Sequence, residues 1–418
     1  MKILWVSNVL FSDVCIELGM TCSSVGGWME SSAKALIKNE NIELSVAALY
    51  SGSKIQHITK YKIKYYLIPS GKNYSKYDKN IELCFYQIIN SLHPDLIHIH
   101  GTEYPHSLAC ARMAGNIPVV VSIQGLVSVY AKYFMGGLDD KIIRQITTLK
   151  DLLTFNGLVQ QQKSMSIRGE FEKELLQKVK HIIGRTSWDR SCVWAINPNV
   201  HYHFCNETLR DSFYTKRWSY DKCSKHTIFL SQGHYPIKGF HKMLEAFPLV
   251  LRHYPDTRII LSGHNFMNVP FYRISGYGKY CNKLIKLNGL EGKIEFIGMI
   301  DESLMASQFE KAHVFICPSS IENSPNSVGE AQLVGTPVIG SYVGGTMDMI
   351  KSGESGFLYR FEETPLLAQR ICELFASPEL CSYLSKNERE IASVRHDAYS
   401  NAKQLIKIYI DIISNGSD

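Results

Sequence analysis

Two carboxylates, Glu322 and Glu330, stand eight positions apart in "SIENSPNSVGEAQLVGTPVIGSYVGG" (Ser320 to Gly345), with a Pro-containing loop between them and two glycine-rich turns after them. The strand-like run "HVFICPSS" would deliver Glu322 to a loop, and "NSPNSV" would then turn into a helix. The first amides of that helix, at about Asn326, Ser327, Val328 and Gly329, lack intrahelical partners and suit a phosphate. Glu330, one turn in, can accept from ribose hydroxyls, and Glu322 from sugar hydroxyls; carboxylates used as plain acceptors need no shifted pKa. A simpler reading stands beside this one: Ser327-x-x-Glu330 is a capping box, in which Glu330 only reaches back to an orphan amide.

Other loops offer complementary groups. In "SQGHYPIKGF", Lys238 follows a strand and directly precedes a helical pattern, where a cation can meet a phosphate as a point charge; Gly233 and Gly239 flank it. A solvated surface lysine is the alternative. Gly26-Gly27, ahead of "WMESSAKAL", would let backbone approach an oxyanion closely, or would simply be a flexible turn. The run "DLIHIH" ends in Gly101-Thr102-Glu103, and "VVVSIQ" ends in Gln124-Gly125, making Glu103 and Gln124 candidate substrate contacts. His98 and His100 alternate with apolar residues within a strand, where buried, hydrogen-bonded histidines are expected rather than ligands.

These loops need a framework. Short β-branched runs alternate with longer helical patterns, the signature of parallel sheets built from βαβ units. One series comprises Lys2–Ser7, Ile42–Leu49, Ile63–Pro69, Asp95–Gly101, Ile117–Gly125 and His181–Thr186; the other comprises His226–Gly233, Thr257–Gly263, Lys293–Gly298, His313–Ser319 and Thr336–Ser341. The polar, aromatic stretch "YTKRWSYDKCSKH" divides them, so residues 1–217 and 218–395 are expected as two doubly wound domains. A terminal amphipathic helix behind Asp397 would occupy 396–418 and pack back toward the first domain. Ligands in such folds bind at the carboxyl ends of strands, and a cleft between facing domains is the expected site.

Bulk properties narrow the classes. A chain of 418 residues, 45% hydrophobic and 20% charged, is globular and too long for one ordinary core. No run approaches the ~18 apolar residues of a membrane span, and Asp13 interrupts any signal-like segment at the start. The eleven cysteines are scattered singly with no C-x-x-C pair, against a zinc site or disulfide scaffold and in favour of a cytoplasmic setting. The net charge of +6 is too small to indicate nucleic acid but favours a phosphate-bearing or lipid partner. From Leu126 to Arg190 there are eleven Lys/Arg against seven Asp/Glu, which is either a solvated face or a contact for an anionic membrane surface.

Taken together, these motifs resemble those of retaining glycosyltransferases of the GT-B fold, in particular family four. "PSSIENSPNSVGEAQLVGTPVIGSYVGGTMDMI" is similar to that family's E-x7-E segment and its continuation, and "SGESGFLY" to the turn that follows. "SVGGWMESSAKAL", "PDLIHIHG" and "YPIKGFHKMLEAF" are similar to its Gly-Gly loop, its "PDIIHVHG" and its Lys-Gly segment. The resemblance implies a nucleotide-sugar donor held by the second domain and a saccharide or lipid-linked acceptor held by the first, with no metal or other cofactor. Lys238 would bind the donor diphosphate, Glu322 and its loop the transferred sugar, and Glu330 the ribose. Gly26 and Gly27 would approach the diphosphate from the first domain.

Two departures matter. Gly233 stands where the family carries an Arg, so a second cation is either supplied from elsewhere, by Arg185 or Arg273, or missing. Gln124 stands where the family often has His; it can bind a sugar but cannot share a proton as His can. The rivals are a nucleotide-sugar epimerase or phosphorylase on the same fold, and a degenerate partner subunit of a transferase.

Overall fold

The computed structural model describes residues 1–20, 26–71 and 75–415. The residues approaching the first glycine pair, Ser24 and Val25, lie outside the described residues. The chain divides into two compact units, one of Met1–Val129, Ser164–Arg210 and His396–Asp418, the other of Tyr130–Lys163 and Asp211–Arg395.

The first unit is built on an eight-stranded sheet of β1 (Lys2–Ser7), β2 (Glu43–Tyr50), β3 (Gln56–Lys60), β4 (Ile63–Pro69), β5 (Leu96–His100), β6 (Val119–Ser122), β7 (His181–Gly184) and β8 (His201–Phe204). Their spatial order is β3-β4-β2-β1-β5-β6-β7-β8. All pairings are parallel except β3 with β4. Alternation along β1 supplies both cores. Leu4 and Val6 join Ile97, Ile99 and the helices Lys79–Leu92 and Pro105–Met113 on one face. Ile3 and Trp5 join the helices Gly27–Leu36 and Ala398–Asn415 on the other. A sheet covered on both faces requires near-continuous apolar strands, which is why β1 reads "KILWVS".

The second unit carries β9 (Thr227–Leu230), β10 (Arg258–Ser262), β11 (Ile294–Gly298), β12 (Val314–Cys317), β13 (Val338–Ser341) and β14 (Phe357–Tyr359). Their order, β11-β10-β9-β12-β13-β14, is wholly parallel. This is the doubly wound order that reverses beside its first strand, here between β9 and β12; the first sheet reverses between β1 and β5. Both units are therefore Rossmann-like.

The structure adds three strands to the sequence reading. β3 ("QHITK") and β8 ("HYHF") are polar edge strands with partly exposed residues, and β14 has three residues. None offers an apolar run long enough to be read as a buried strand. The partition also differs from a single divide at 217/218. Residues 130–163 belong to the second unit, where the Gly276 amide donates to Asp151 Oδ2 at 2.9 Å and Lys150 Nζ to the Arg273 carbonyl at 2.7 Å. The expected linker is itself folded onto that unit: Trp218 Nε1 donates to the Ala312 carbonyl at 2.7 Å, and the Trp218 amide to the Val334 carbonyl at 2.9 Å. Helical periodicity shows that a segment is a helix but not which sheet it covers.

The terminal helix is fastened within the first unit. Asp397 Oδ1 accepts from the Ser400 amide at 2.7 Å, capping its start. Further along, Tyr409 Oη accepts from Trp5 Nε1 at 2.9 Å and donates to His98 Nδ1 at 2.6 Å, which leaves His98 Nε2–H to donate to Ser122 Oγ at 2.6 Å. His98 is thus a satisfied core histidine. His100, packed against Trp5 and His98, has no hydrogen-bond partner on either ring nitrogen among the described residues, and burial pushes its pKa down to about 3.

Candidate functional site

The reversal point of the second sheet brings two loops together. After β9 the chain runs through Gly233 and His234 into a short turn, Pro236–Lys238, and the helix Phe240–Leu251 begins at Gly239. After β12 it runs through Pro318 and Ser319 to Glu322. The Ser320 amide donates to the Ile237 carbonyl at 2.8 Å, tying the loops. Gly239 has φ 68°, and a Cβ there would overlap the Pro318 carbonyl oxygen, so only glycine permits this approach.

Lys238 Nζ lies 2.6 Å from Glu322 Oε1, which also accepts from Ser319 Oγ at 2.7 Å. Their side chains are 22% and 10% exposed, so the pair is largely desolvated yet still reachable. Burial would lower the Lys238 pKa, but the charge of Glu322 and its hydrogen bond more than offset it, and the net shift is upward. Behind Glu322 sits the later glycine pair: the Gly345 amide donates to the Glu322 carbonyl at 3.0 Å, and a Cβ on Gly344 would overlap that oxygen. The two glycine-rich turns of the sequence thus include the support of the Glu322 loop.

The helix Asn326–Val334 starts differently from the sequence reading. Its N-cap is Pro325, with no side-chain cap, so Ser327 lies inside the first turn and the Ser327/Glu330 capping box does not form. The amides of Val328 and Gly329 already donate to the Pro325 carbonyl at 2.9 and 3.3 Å. The outward-facing amides therefore narrow to Asn326 and Ser327, and the Val328 side chain is fully buried. Glu330 is buried in the body of the helix. Gln332 anchors that helix, donating from Nε2 to the Met349 carbonyl at 3.0 Å and accepting from Arg395 Nη1 at 2.8 Å.

The first unit places its candidates at its own reversal point. Gly26, φ 91°, begins the helix Gly27–Leu36, and a Cβ on Gly27 would come within 2.7 Å of Arg210 Cδ. Glu103 Oε2 accepts from Asn8 Nδ2 at 2.7 Å, joining the loops after β1 and β5. Burial, reinforced by Glu172, raises the Glu103 pKa to about 7 against the pull of Asn8 and Arg168. Glu172, fully buried, accepts from Thr102 Oγ1 at 2.5 Å and from the Val127 and Ser128 amides at 3.0 and 2.9 Å. It thereby fixes the loop that carries the half-buried Gln124.

Of the two substitute cations considered, Arg185 is ion-paired with Glu207 and donates to the Ile123 carbonyl at 3.1 Å within the first unit. Arg273 is exposed. Gly233 is closely packed: a Cβ there would lie 3.0 Å from Phe240 Cβ, so any side chain at this position requires Phe240 to give way by a few tenths of an ångström. Sequence reasoning passed over Ser319, Asn8 and Glu172, whose roles depend on contacts between distant loops. It also passed over His234, which is half-buried and electrostatically coupled to Lys238, with Nδ1 unpartnered among the described residues. Burial, then His264 and Lys238, push its pKa down to about 4, so it is neutral at pH 7. No group of three metal-ligating side chains stands together among the described residues.

With this geometry, the two-sheet architecture is that of the GT-B fold. Sucrose-phosphate synthase from Thermosynechococcus elongatus superposes with a TM-score of 0.70 at 16% identity, over 99% of this chain and all of that one. Anabaena HepE in complex with UDP and glucose superposes with a TM-score of 0.67 at 15% identity, over 98% and 99%. Residues 213–391, which contain Lys238, Glu322 and Glu330, match the glycosyl transferases group 1 family. Similar curated proteins include spore coat protein SA of Bacillus subtilis, 26% identical over 41% of this chain and 45% of that protein. They also include phosphatidyl-myo-inositol mannosyltransferase of Mycobacterium leprae, 24% identical over 47% and 50%. The chain spans about half the length of the curated relatives it matches.

Proposed function

We propose that the protein is a retaining, metal-independent hexosyltransferase of family four that moves a sugar from a nucleotide-sugar donor to a saccharide or lipid-linked acceptor in surface polysaccharide assembly. The observation that carries this reading is the Lys238–Glu322 pair, 2.6 Å apart, at the strand-order reversal of the second sheet. The ammonium meets the donor diphosphate, the Asn326 and Ser327 amides add to it, and Glu322 accepts from hydroxyls of the transferred sugar. Glu330 takes the ribose, Gly26 and Gly27 offer backbone to the diphosphate, and Glu103 and Gln124 contact the acceptor. The likeness to HepE, a protein captured in complex with UDP and glucose, supports a donor of the UDP-sugar type.

The bond from the sugar C1 to the diphosphate breaks, and the acceptor oxygen bonds to C1 on the same face. The acceptor proton passes to the departing phosphate oxygen, so no protein base is required. The protein's contribution is charge stabilisation of the leaving group and alignment of the acceptor. Lys238 supplies positive charge of the kind a metal would otherwise provide. His234, neutral and electrostatically coupled to Lys238, can donate a further N–H to the diphosphate, next to Gly233, which offers no cation.

The lack of a cation at Gly233 favours a second reading, a partner subunit that keeps the fold without turnover; the retained Lys238–Glu322 pair stands against it. A thermal-shift screen against nucleotide sugars separates the two. A ligand at about 100 times its Kd stabilises the fold by about 2.7 kcal/mol. One nucleotide sugar should raise the melting temperature, and NMR of the product should show the donor's anomeric configuration. An inverted product would overturn the retaining mechanism. Absence of any shift, with co-purification of an active transferase, would establish the partner reading.

A further inference from the structure

The sequence directs attention to the basic segment 126–190 as a whole, but the structure singles out one amphiphilic surface within the second unit. It combines part of that segment with a distant loop. The short helix Leu149–Leu153 and the residues after it expose Leu149 (78%), Leu153 (80%) and Phe155 (80%). The loop before helix Gly276–Leu287 exposes Phe271 (88%) and Tyr272 (61%). Asp151 holds the two segments together, its Oδ2 accepting from the Thr148 amide at 3.0 Å and the Gly276 amide at 2.9 Å. Lys150 Nζ adds its bond to the Arg273 carbonyl. The one acid of the short helix is thus turned inward and buried, and what remains outside is apolar and cationic.

The cations are ordered beside the apolar tip. Helix Gly276–Leu287, "GYGKYCNKLIKL", contains no acid, and its Lys279, Lys283 and Lys286 lie at i, i+4 and i+7, one exposed face. These three lysines rim a cavity of about 540 Å³ whose walls include Ile142, Ile146, Ile274 and Leu287. Apolar walls with a lysine rim match a molecule that is apolar at one end and anionic at the other. Asp139 and Asp140, the acids of the facing helix Asp140–Ile146, sit at its start, and Asp139 is engaged as its cap on the Ile142 amide at 2.7 Å.

We propose that this surface, formed by residues 149–155, 271–273 and the lysine face of helix Gly276–Leu287, docks the protein on an anionic bilayer. The apolar side chains enter the headgroup boundary and the lysines meet lipid phosphates. Large exposed aliphatic and aromatic side chains in one patch are uncommon on a monomer, and charge complementarity selects an anionic lipid face as the occupant. No helix among the described residues is long and apolar enough to cross a membrane, so attachment here is peripheral. This deepens the proposed transferase by placing it where a lipid-linked acceptor resides.

The test is co-sedimentation of the full chain with phosphatidylcholine vesicles, with and without phosphatidylglycerol, alongside sedimentation velocity and the donor thermal shift on the same preparations. The wild type should bind vesicles containing phosphatidylglycerol and bind neutral ones weakly. Lys283→Gln/Lys286→Gln should weaken binding by roughly 25-fold at low salt, about fivefold for each cation removed. Leu153→Ser/Phe155→Ser should abolish the binding that survives high salt while leaving the melting temperature unchanged. Indifference of the wild type to phosphatidylglycerol, or full binding by both variants, overturns the proposal. So does a concentration-dependent dimer lost in Leu153→Ser/Phe155→Ser without vesicle binding, since a second copy then covers the patch. Vesicle binding and donor binding are read separately, so failure of one is distinguishable from failure of the other.

Discussion

Replacing Lys238 by Met keeps most of the side-chain volume and removes the charge, which separates its two roles. In the resting protein the ammonium neutralises Glu322, a carboxylate with 10% side-chain exposure. Removing one partner of a fully buried pair costs about 3–5 kcal/mol. Lys238 is 22% exposed, and Ser319 Oγ still donates to Glu322 at 2.7 Å, so about 1–3 kcal/mol of fold stability is expected to be lost. The loss in turnover should be larger. A preorganised contact to a developing oxyanion is worth about 2.7–4 kcal/mol, or about 10²–10³ in kcat. The double variant Lys238→Met/Glu322→Gln removes the stranded charge and should recover much of the melting temperature, with turnover still depressed. Differential scanning calorimetry and a donor-turnover assay on the same preparations give both quantities. A folded Lys238→Met protein turning over within a few-fold of wild type would refute the leaving-group role. Recovery of turnover in the double variant would show that the single substitution acted through stability alone.

Three further outcomes test the framework around that pair. Glu103 has a folded pKa of about 7, above its ordinary 4.5, so its favourable contribution is complete below pH 4.5 and lost as pH rises through 7. The melting temperature of Glu103→Gln relative to wild type should therefore climb between pH 4.5 and 7 and level off above, by about 1–3 kcal/mol in stability; a flat difference would mean that Glu103 is not strained. Gly239→Ala sets a side chain against the Pro318 carbonyl at φ 68° and should cost about 1–3 kcal/mol or more by chemical denaturation, with donor binding weakened because both loops shift. Tyr409→Phe leaves Trp5 Nε1 and His98 Nδ1 without their shared partner and should cost about 1–3 kcal/mol, with donor binding by the second unit unchanged.

Much of this fold is legible in the chain because parallel strands buried on both faces must be apolar runs. "KILWVS" and "IKYYLIP" coincide with β1 and β4 residue for residue. The edge strands β3 and β8 escape because half-exposed polar strands look like loops. Glu322 and Lys238 could be picked out because each follows a strand end, and strand ends carry sites in doubly wound sheets. The capping box could not be decided, because Ser327-x-x-Glu330 would cap a helix starting at Val328, whereas a start at Asn326, two residues earlier, serves the same pattern of apolar positions. Pro325 fixes which of them forms, and with it which amides stay open.

The layered α/β class, the two βαβ series, and the residue types able to meet phosphate and sugar can be read from the chain alone. Those depend on periodicity and local turn chemistry, which act over a few residues. It took the assembled fold to bring Lys238 and Glu322, 84 positions apart, into one ion pair. The fold also decided that Gly239 and Gly344 are there to let carbonyls pass, that Gly233 packs against Phe240, and that residues 130–163 fold with the second sheet. Such facts follow from the strand order, which brings the ends of β9 and β12 together, and strand order is a property of the assembled sheet that no single segment encodes.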